Sequence, residues 1–355
     1  MKRILLTGNM GYIGPVVVRR LRDSHQGVEI TGLDMGYFAN CLTNSHIFPE
    51  CGVNVQYFAD MRNFPEAALD GVDAVLHLAA ISNDPIGNTF EKVTYEINHM
   101  ASLKFAKAAK DKGAKAFIYA SSCSMYGFAE DGARTESSPL NPLTAYAKSK
   151  VYTEKELEGL ASERFRITSL RFATACGMSE RLRLDLVLND FVAGAVASGK
   201  ITILSDGTPW RPLINVKDMA RAMDWAITRD AGPDFLALNV GSNGWNYQVR
   251  DLAEAVAREI PGTKVEINKD AQPDRRSYKV SFDLFEGLAP EEYRPKMDLA
   301  GTIRELKEGL LAMKFSDLDF RNSRFMRLMV LKELRAKGLL NERLEWTSDG
   351  KEEPR

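Results

Sequence analysis

Two hydrophobic periodicities alternate along the first half of the chain. Short, nearly unbroken apolar runs (KRILLTG at 2–8, VEITGLD at 28–34, VNVQYFAD at 53–60, DAVLHLAA at 73–80, AFIYASS at 116–122 and FRITSLRF at 165–172) have the length and β-branched content of strands buried on both faces. Between them the apolar residues recur every three or four positions. From Tyr12 to Ser24, Ile13, Val16, Val17 and Leu21 share one helical face, a long helix is predicted from about Thr89 to Lys112, and another opens around Tyr146. This alternation predicts an α/β fold: a doubly wound parallel sheet covered by helices on both faces.

Past residue 173 the pattern becomes irregular. LDLVLNDFVAGAVAS reads as a helix, ITIL as a short strand, WRPLINVKDMARAMDWAI as a strand running into a helix, and FLALNVG as a further strand. The predicted organisation is a nucleotide-binding domain over 1–172, to which 211–242 returns, with an interleaved smaller lobe from 173–210 and 243–315 and a helical extension over 316–355. Between Asn322 and Lys337, Phe325, Leu328, Leu331 and Leu334 stand three apart with Met329 beside them, a stripe that predicts packing or a subunit contact.

Composition narrows the function classes. The 355 residues are 45% hydrophobic and 27% charged with a formal net charge of -1, an ordinary globular balance that gives no reason to expect nucleic acid as a partner. No run approaches the ~20 apolar residues of a membrane span, and the chain is expected in the cytoplasm. Cys41, Cys51, Cys123 and Cys176 are scattered without a C-x-x-C pair, and the histidines are equally dispersed, so no metal site is expected.

Candidate chemistry begins at TGNMGYIG, where Gly8, Gly11 and Gly14 fall between the first strand and the first helix. Glycines there allow a tight turn, let backbone N–H groups approach a diphosphate and let the helix pack close to the strand. Asp34 ends the second strand, where an acid accepts hydrogen bonds from an unmodified adenosine ribose and repels a 2′-phosphate, which favours NAD over NADP. Downstream, YASSCSMYG ends the fifth strand with Ser122, and LTAYAKSK places Tyr146 and Lys150 one helical turn apart.

At these residues the chain resembles the extended short-chain dehydrogenase/reductase superfamily, in its NAD-dependent nucleotide-sugar epimerase and dehydratase branch, over roughly residues 1–315. The resemblance implies a Rossmann-type sheet with a smaller C-terminal substrate lobe. It implies that Gly8, Asn9, Met10, Gly11, Tyr12, Ile13 and Gly14 form the NAD turn, that Asp34 binds ribose, and that Asp60 and Met61 lie at the adenine. Leu78, Ala79 and Ala80 of HLAA would lie against the cofactor, Asn98 would belong to the same site, and Ser122, Tyr146 and Lys150 would be catalytic, the last two also touching cofactor. Substrate contacts fall to Ser82, Asn83, Ser122, Ser124, Thr174, Asn189, Arg211 and Arg275 or Arg276, with Thr174 standing where many relatives carry Asn.

The implied chemistry is oxidation of a sugar hydroxyl with Tyr146 as the base, its phenol brought below the usual value near 10 by Lys150 and the positive nicotinamide. Cys123 is expected to turn away from the pocket beside Ser122, and His77 to be a packed strand-end residue. Dehydratases of this branch carry an Asp–Glu pair directly after the catalytic hydroxyl residue, where this chain has Cys123 and Ser124. The leading expectation is an NAD-dependent epimerase of a nucleoside diphosphate sugar at C4, working as a homodimer. The alternatives are a ketosugar reductase or sugar dehydrogenase and, from another class, a cofactor-sensing protein without turnover.

Overall fold

The computed structural model describes residues 2–229, 232–268 and 276–347. Strands run Arg3–Thr7 (β1), Glu29–Asp34 (β2), Val55–Phe58 (β3), Ala74–His77 (β4), Ala116–Ser122 (β5), Phe128–Arg134 (β6), Arg166–Phe172 (β7), Thr174–Cys176 (β8), Lys200–Ile203 (β9), Trp210–Asn215 (β10), Phe235–Val240 (β11), Asn246–Gln248 (β12), Lys264–Ile267 (β13) and Ser277–Val280 (β14). The α-helices are Gly14–Ser24 (α1), Asp84–Thr89 (α2), Glu91–Tyr95 (α3), Ser102–Asp111 (α4), Ala145–Glu158 (α5), Val187–Ser198 (α6), Val216–Thr228 (α7), Val249–Glu259 (α8), Asp283–Leu288 (α9), Leu299–Ala312 (α10) and Arg327–Ala336 (α11).

A seven-stranded sheet in the order β11-β7-β5-β4-β1-β2-β3 carries the molecule, with every pairing parallel. Its strands are the seven apolar runs expected of the sheet; the inner strands are almost wholly buried by helices on both faces, while the edge strand β3 leaves Val55 and Phe58 exposed. The order reverses between β1 and β4, which opens a crevice beyond the carboxyl ends of those strands. Smaller sheets, β12-β10-β8, β13-β9 and β14-β6, build the second lobe above that edge.

Two expected elements need correction. Strand β10 was expected to return to the large sheet with the segment after it, yet it pairs with β8 and β12, so only α7 and β11 return. An apolar run shows that a strand is buried and leaves open which sheet buries it. The helix expected from Thr89 to Lys112 is interrupted at Phe90, whose backbone (φ -124, ψ 54) separates α2 from α3, and it widens into a π-helical turn over Glu96–Ala101 before α4 begins. That turn presents Asn98, whose side chain accepts from the Ile81 amide (2.7 Å) and donates to the Ile81 carbonyl (3.0 Å) and Ser149 Oγ (3.1 Å), tying the loop after β4 to α5.

The segment beyond residue 315 folds back onto the chain's own nucleotide-binding half. Leu331, Leu340 and Leu344 pack with Tyr37, Ile81, Ile86, Phe90, Val93 and Ile97 in one apolar cluster. The apolar stripe is thus satisfied within the chain.

Candidate active site

Backbone geometry fixes the glycine turn first. Gly8 has φ +72, and a Cβ there would stand 2.6 Å from the Ala79 amide nitrogen, so β1 and the loop after β4 approach each other too closely for any side chain. At Gly14 a Cβ would stand 2.0 Å from the Asn9 carbonyl oxygen. Asp34 braces the turn from β2, accepting from the Met10 amide (3.0 Å) and the Gly36 amide (2.7 Å), while burial raises its carboxyl above the usual range.

His77 is a strut beneath this turn. Its Nδ1 hydrogen-bonds Thr7 Oγ1 and its Nε2 hydrogen-bonds Ser102 Oγ, both at 2.8 Å, and burial pushes its pKa down to about 3, so the ring is neutral.

The groove above the turn has a volume of about 130 Å3, and Gly8, Gly11, Asp34, Asp60, Met61 and Leu78 to Ile81 are among its walls. Tyr12, Ile13, Leu78, Ala80, Ser82 and Arg183 are shared with a second, larger cleft of about 590 Å3 between the sheet edge and the smaller lobe. Ser122, Ser124, Tyr146, Lys150, Thr174, Asn83, Arg211 and Arg276 reach this cleft.

Helix α5 carries Tyr146 in its first turn. Thr144 caps it, accepting from the Ala147 amide (3.1 Å) and donating to Asp84 (2.6 Å). Its far end is pinned to β7 by a buried ion pair, Arg171 Nε to Glu154 at 3.0 Å, and by Ser169 Oγ donating to the same carboxylate at 2.6 Å. The Tyr146 side chain meets Ser122 at the cleft, near enough for Ser122 to favour its ionised form. Lys150 Nζ lies 5.7 Å from the centre of the Tyr146 ring and donates to the Ala120 carbonyl at 2.6 Å.

The electrostatics correct one expectation. Burial pushes the Tyr146 phenol up to about 12, against the smaller lowering effect of Ser122, and burial also pushes the Lys150 ammonium down to about 7. Desolvation exceeds the stabilisation that Ser122 and Arg183 lend a phenolate, and spacing on a helix cannot report it. The charge that lowers the phenol would have to come from the positive nicotinamide.

Lys150 leaves a signature in stability. The unfolded chain releases this proton near 10.4. Between about 7 and that value the unfolded chain binds a proton that the folded chain does not. Stability therefore rises with pH across the window, by up to ~1.4 kcal/mol per unit from this group. Below the window the full cost of the buried charge remains. Lys150→Met is expected to be more stable than wild type at pH 7 and below, with the gap closing toward pH 10, in urea denaturation of NAD-free protein. A gap independent of pH would contradict this.

Several expected contacts lie elsewhere. Asn9 turns beneath the turn to donate to Gln56 (2.6 Å), Met10 is buried, Gly14 starts α1, and Asn98 is spent on Ile81 and Ser149, so none of these lines either cavity. Asn189 is fully buried: it donates to the Arg183 carbonyl (2.9 Å) and Tyr12 (3.3 Å) and accepts from the Gly177 amide (3.0 Å), which makes it a wall fastening rather than a group facing substrate. Arg275 lies outside the described residues. Cys123 is fully buried with its thiol against the Arg171 carbonyl, and burial raises its pKa. Ser124 Oγ is buried at the cleft with no hydrogen-bond partner, so a ligand hydroxyl there would satisfy it.

Sequence reasoning missed Arg183 and Asp185, an ion pair at 2.8 Å in the cleft wall that also holds Ser82 and Asn83. It also missed Arg327 and Leu331 of α11, which line the groove above the glycine turn. The RLRLD run at 181–185 was a charge signal next to an apolar helix, and it could have marked the first pair.

Comparison with known proteins identifies the family and the fold. The profile of the NAD dependent epimerase/dehydratase family matches residues 4–241. The chain is 26% identical over 335 residues to UDP-arabinose 4-epimerase 1 of Arabidopsis thaliana, covering 86% of this chain and 77% of that one. Among solved structures, the UDP-glucose-4-epimerase from Stenotrophomonas maltophila with bound NAD and formylated UDP-arabinopyranose superposes with a TM-score of 0.74 at 24% identity, over 89% of this chain and 100% of that one. An NAD-dependent NDP-hexosamine 5,6-dehydratase of tunicamycin biosynthesis superposes with a TM-score of 0.75 at 23% identity, over 90% and 100%. With the matched region running from the first strand of the sheet through its last, the chain belongs to the NAD dependent epimerase/dehydratase family.

Proposed function

We propose that the protein is an NAD-dependent epimerase that inverts C4 of a nucleoside diphosphate sugar through a transient 4-ketosugar. One observation carries the reading. Ser122 and Tyr146 meet at a cleft that continues into the glycine-turn groove, Lys150 lies one helical turn behind, and Cys123 and Ser124 occupy the two positions after Ser122. The likeness to 4-epimerases of UDP-sugars supports the substrate class.

When bound, NAD supplies the acceptor for the C4 hydride and a positive charge near the phenol. Tyr146 takes the proton of the C4 hydroxyl and later returns it. Ser122 hydrogen-bonds the same oxygen as charge builds on it. The positive nicotinamide favours the phenolate, and Lys150, charged when the cofactor is bound, adds to it and reaches the nicotinamide ribose. The lobe formed by 173–215 and 243–315 holds the sugar nucleotide, with Arg211 and Arg276 at its phosphates and Ser82, Asn83, Ser124 and Thr174 at the sugar.

Asp34 sets the cofactor. Asp34→Ala is expected to weaken NAD binding by about tenfold or more, with NADP much less affected, as read by calorimetry. Equal affinity of wild type for NAD and NADP would show that Asp34 does not meet the ribose.

Loss of water is not expected. Elimination across C5 and C6 needs an acid for the departing hydroxyl and a base for the C5 proton. The carboxylates in the cleft are committed: Asp84 pairs with Arg276, Asp185 with Arg183 and Asp190 with Arg321. Mass spectrometry of reactions with nucleoside diphosphate hexoses should show no product lighter by one water, and a 4-keto-6-deoxy product would overturn this.

Among the described residues no helix is long and apolar enough to cross a membrane. A cytoplasmic homodimer fits the reading. Met100 and Tyr152 stand exposed on the outer side of the layer that includes α5, with Tyr152 stacked on Tyr95, an apolar face suited to a second copy. Light scattering should return twice the chain mass, and Met100→Glu should shift it toward the monomer.

A further inference from the structure

Three arginines meet where the chain's end crosses the nucleotide-binding half, and only two of them have a carboxylate. Arg181 pairs with Glu50 at 2.7 Å and Arg183 with Asp185 at 2.8 Å. Arg327, the first residue of α11, is 1% exposed and forms no ion pair among the described residues. Its Nη2 donates to the Arg181 carbonyl at 2.7 Å, its guanidinium lies 4.7 Å from the centre of the Phe38 ring, and its Nη1 is buried without any hydrogen-bond partner.

A buried guanidinium left short of both an acceptor and a counter-charge is unfavourable, and proteins keep such a group where a ligand supplies what is missing. The ligand here has a place, because Arg327 lines the same groove as Gly8, Gly11, Asp34 and Asp60. Along that groove Asp34 and Asp60 mark one end. Leu78, Ala80 and Arg183, shared with the sugar cleft, mark the other, and the glycine turn lies between. Arg327 donates to the carbonyl of Arg181, two residues before Arg183, and Leu331 one turn further along α11 packs in one apolar cluster with Ile81, which sets it toward the middle rather than at the Asp60 end. The middle of a dinucleotide is its diphosphate, and a diphosphate carries both the acceptor oxygens and the negative charge that Arg327 lacks.

We propose that the C-terminal segment completes the NAD site, with Arg327 as a ligand of the cofactor's diphosphate in addition to the glycine turn. The segment is fastened at the Asp34–Asp60 end of the groove. Trp346 Nε1 donates to the Met35 carbonyl (2.7 Å), the Tyr37 hydroxyl donates to the Leu344 carbonyl, and Arg62 Nη1 donates to the Arg343 carbonyl (2.9 Å) while its Nη2 pairs with Asp60 (2.6 Å). Leu331 adds an apolar side chain to the same wall. The inference rests on the NAD-dependent reading of the groove.

The test uses the full-length protein stripped of nucleotide and measures NAD, ADP and adenosine binding by calorimetry. Arg327→Met should weaken NAD and ADP by about tenfold to a hundredfold, the worth of a charge-assisted hydrogen bond, while adenosine binding stays within about twofold. Arg327→Lys keeps a cation and a long stem but loses the planar fork. It should show the same pattern at about threefold to tenfold, and it serves if the Met variant does not fold. Unchanged NAD affinity in either folded variant, or an equal loss for adenosine and ADP, overturns the proposal and leaves the cofactor reading standing. Wild type that binds neither NAD nor ADP would overturn both.

Discussion

Tyr146→Phe is expected to lower kcat by about two orders of magnitude or more while NAD affinity stays within about twofold. Phe fills the same space at the head of α5 and removes only the hydroxyl beside Ser122. Ser122 keeps the hydrogen bond that it accepts from the Ser124 amide at 3.2 Å, so its orientation survives. The change in folding stability should remain near ~1 kcal/mol, the net worth of one hydrogen bond. Because the protein's own groups leave the phenol at about 12, turnover of wild type should also climb as pH rises through neutrality, and the residual rate of the variant should not. Near wild-type turnover in Tyr146→Phe would remove Tyr146 from the chemistry.

Lys150→Met is expected to cost as much or more, about two to three orders of magnitude in kcat/KM, with NAD binding weakened as well. Lys150 is 3% exposed, has no carboxylate partner among the described residues and gives its hydrogen bond to a backbone carbonyl. Folding would gain from an apolar side chain there. A residue kept against stability at the wall of the cleft, its ammonium 4.6 Å from the Tyr119 ring centre and 5.7 Å from that of Tyr146, is best explained by what it does for the phenol and the cofactor there. The same substitution should therefore raise stability near pH 7 and lower turnover. Full turnover in a stabilised Lys150→Met protein would mean that the buried charge serves neither phenol nor cofactor.

How much of this was legible in the sequence depends on whether the information was local. The seven strands of the large sheet could be read because each is an apolar run bounded by turn residues, and the glycine turn because its spacing answers to one backbone geometry. The partner sheet of β10 could not be read, since burial alone does not name the neighbour. Tyr146, Lys150 and Ser122 were legible as a group, whereas the upward shift of the phenol was not, because desolvation belongs to the folded cleft. Asn189 carried a side chain suited to a phosphate, and only the packed wall shows it occupied by Tyr12, Gly177 and Arg183. Arg327 was invisible for the opposite reason: it sits inside an unremarkable apolar stripe, and its missing counter-charge appears only once α11 lies across the groove.

The central claim is that hydride leaves C4 and returns to the same carbon on its other face. Incubating the purified protein and NAD with UDP-glucose, UDP-galactose, UDP-xylose or UDP-arabinose deuterated at C4, and following each by NMR and by absorbance of NADH, tests this directly. The account predicts that at least one of these sugars is converted to its C4 epimer with deuterium retained at C4 and no net change in NADH. Net accumulation of NADH in step with a stable ketosugar, or a C4 epimer whose deuterium has been exchanged with solvent, would contradict it.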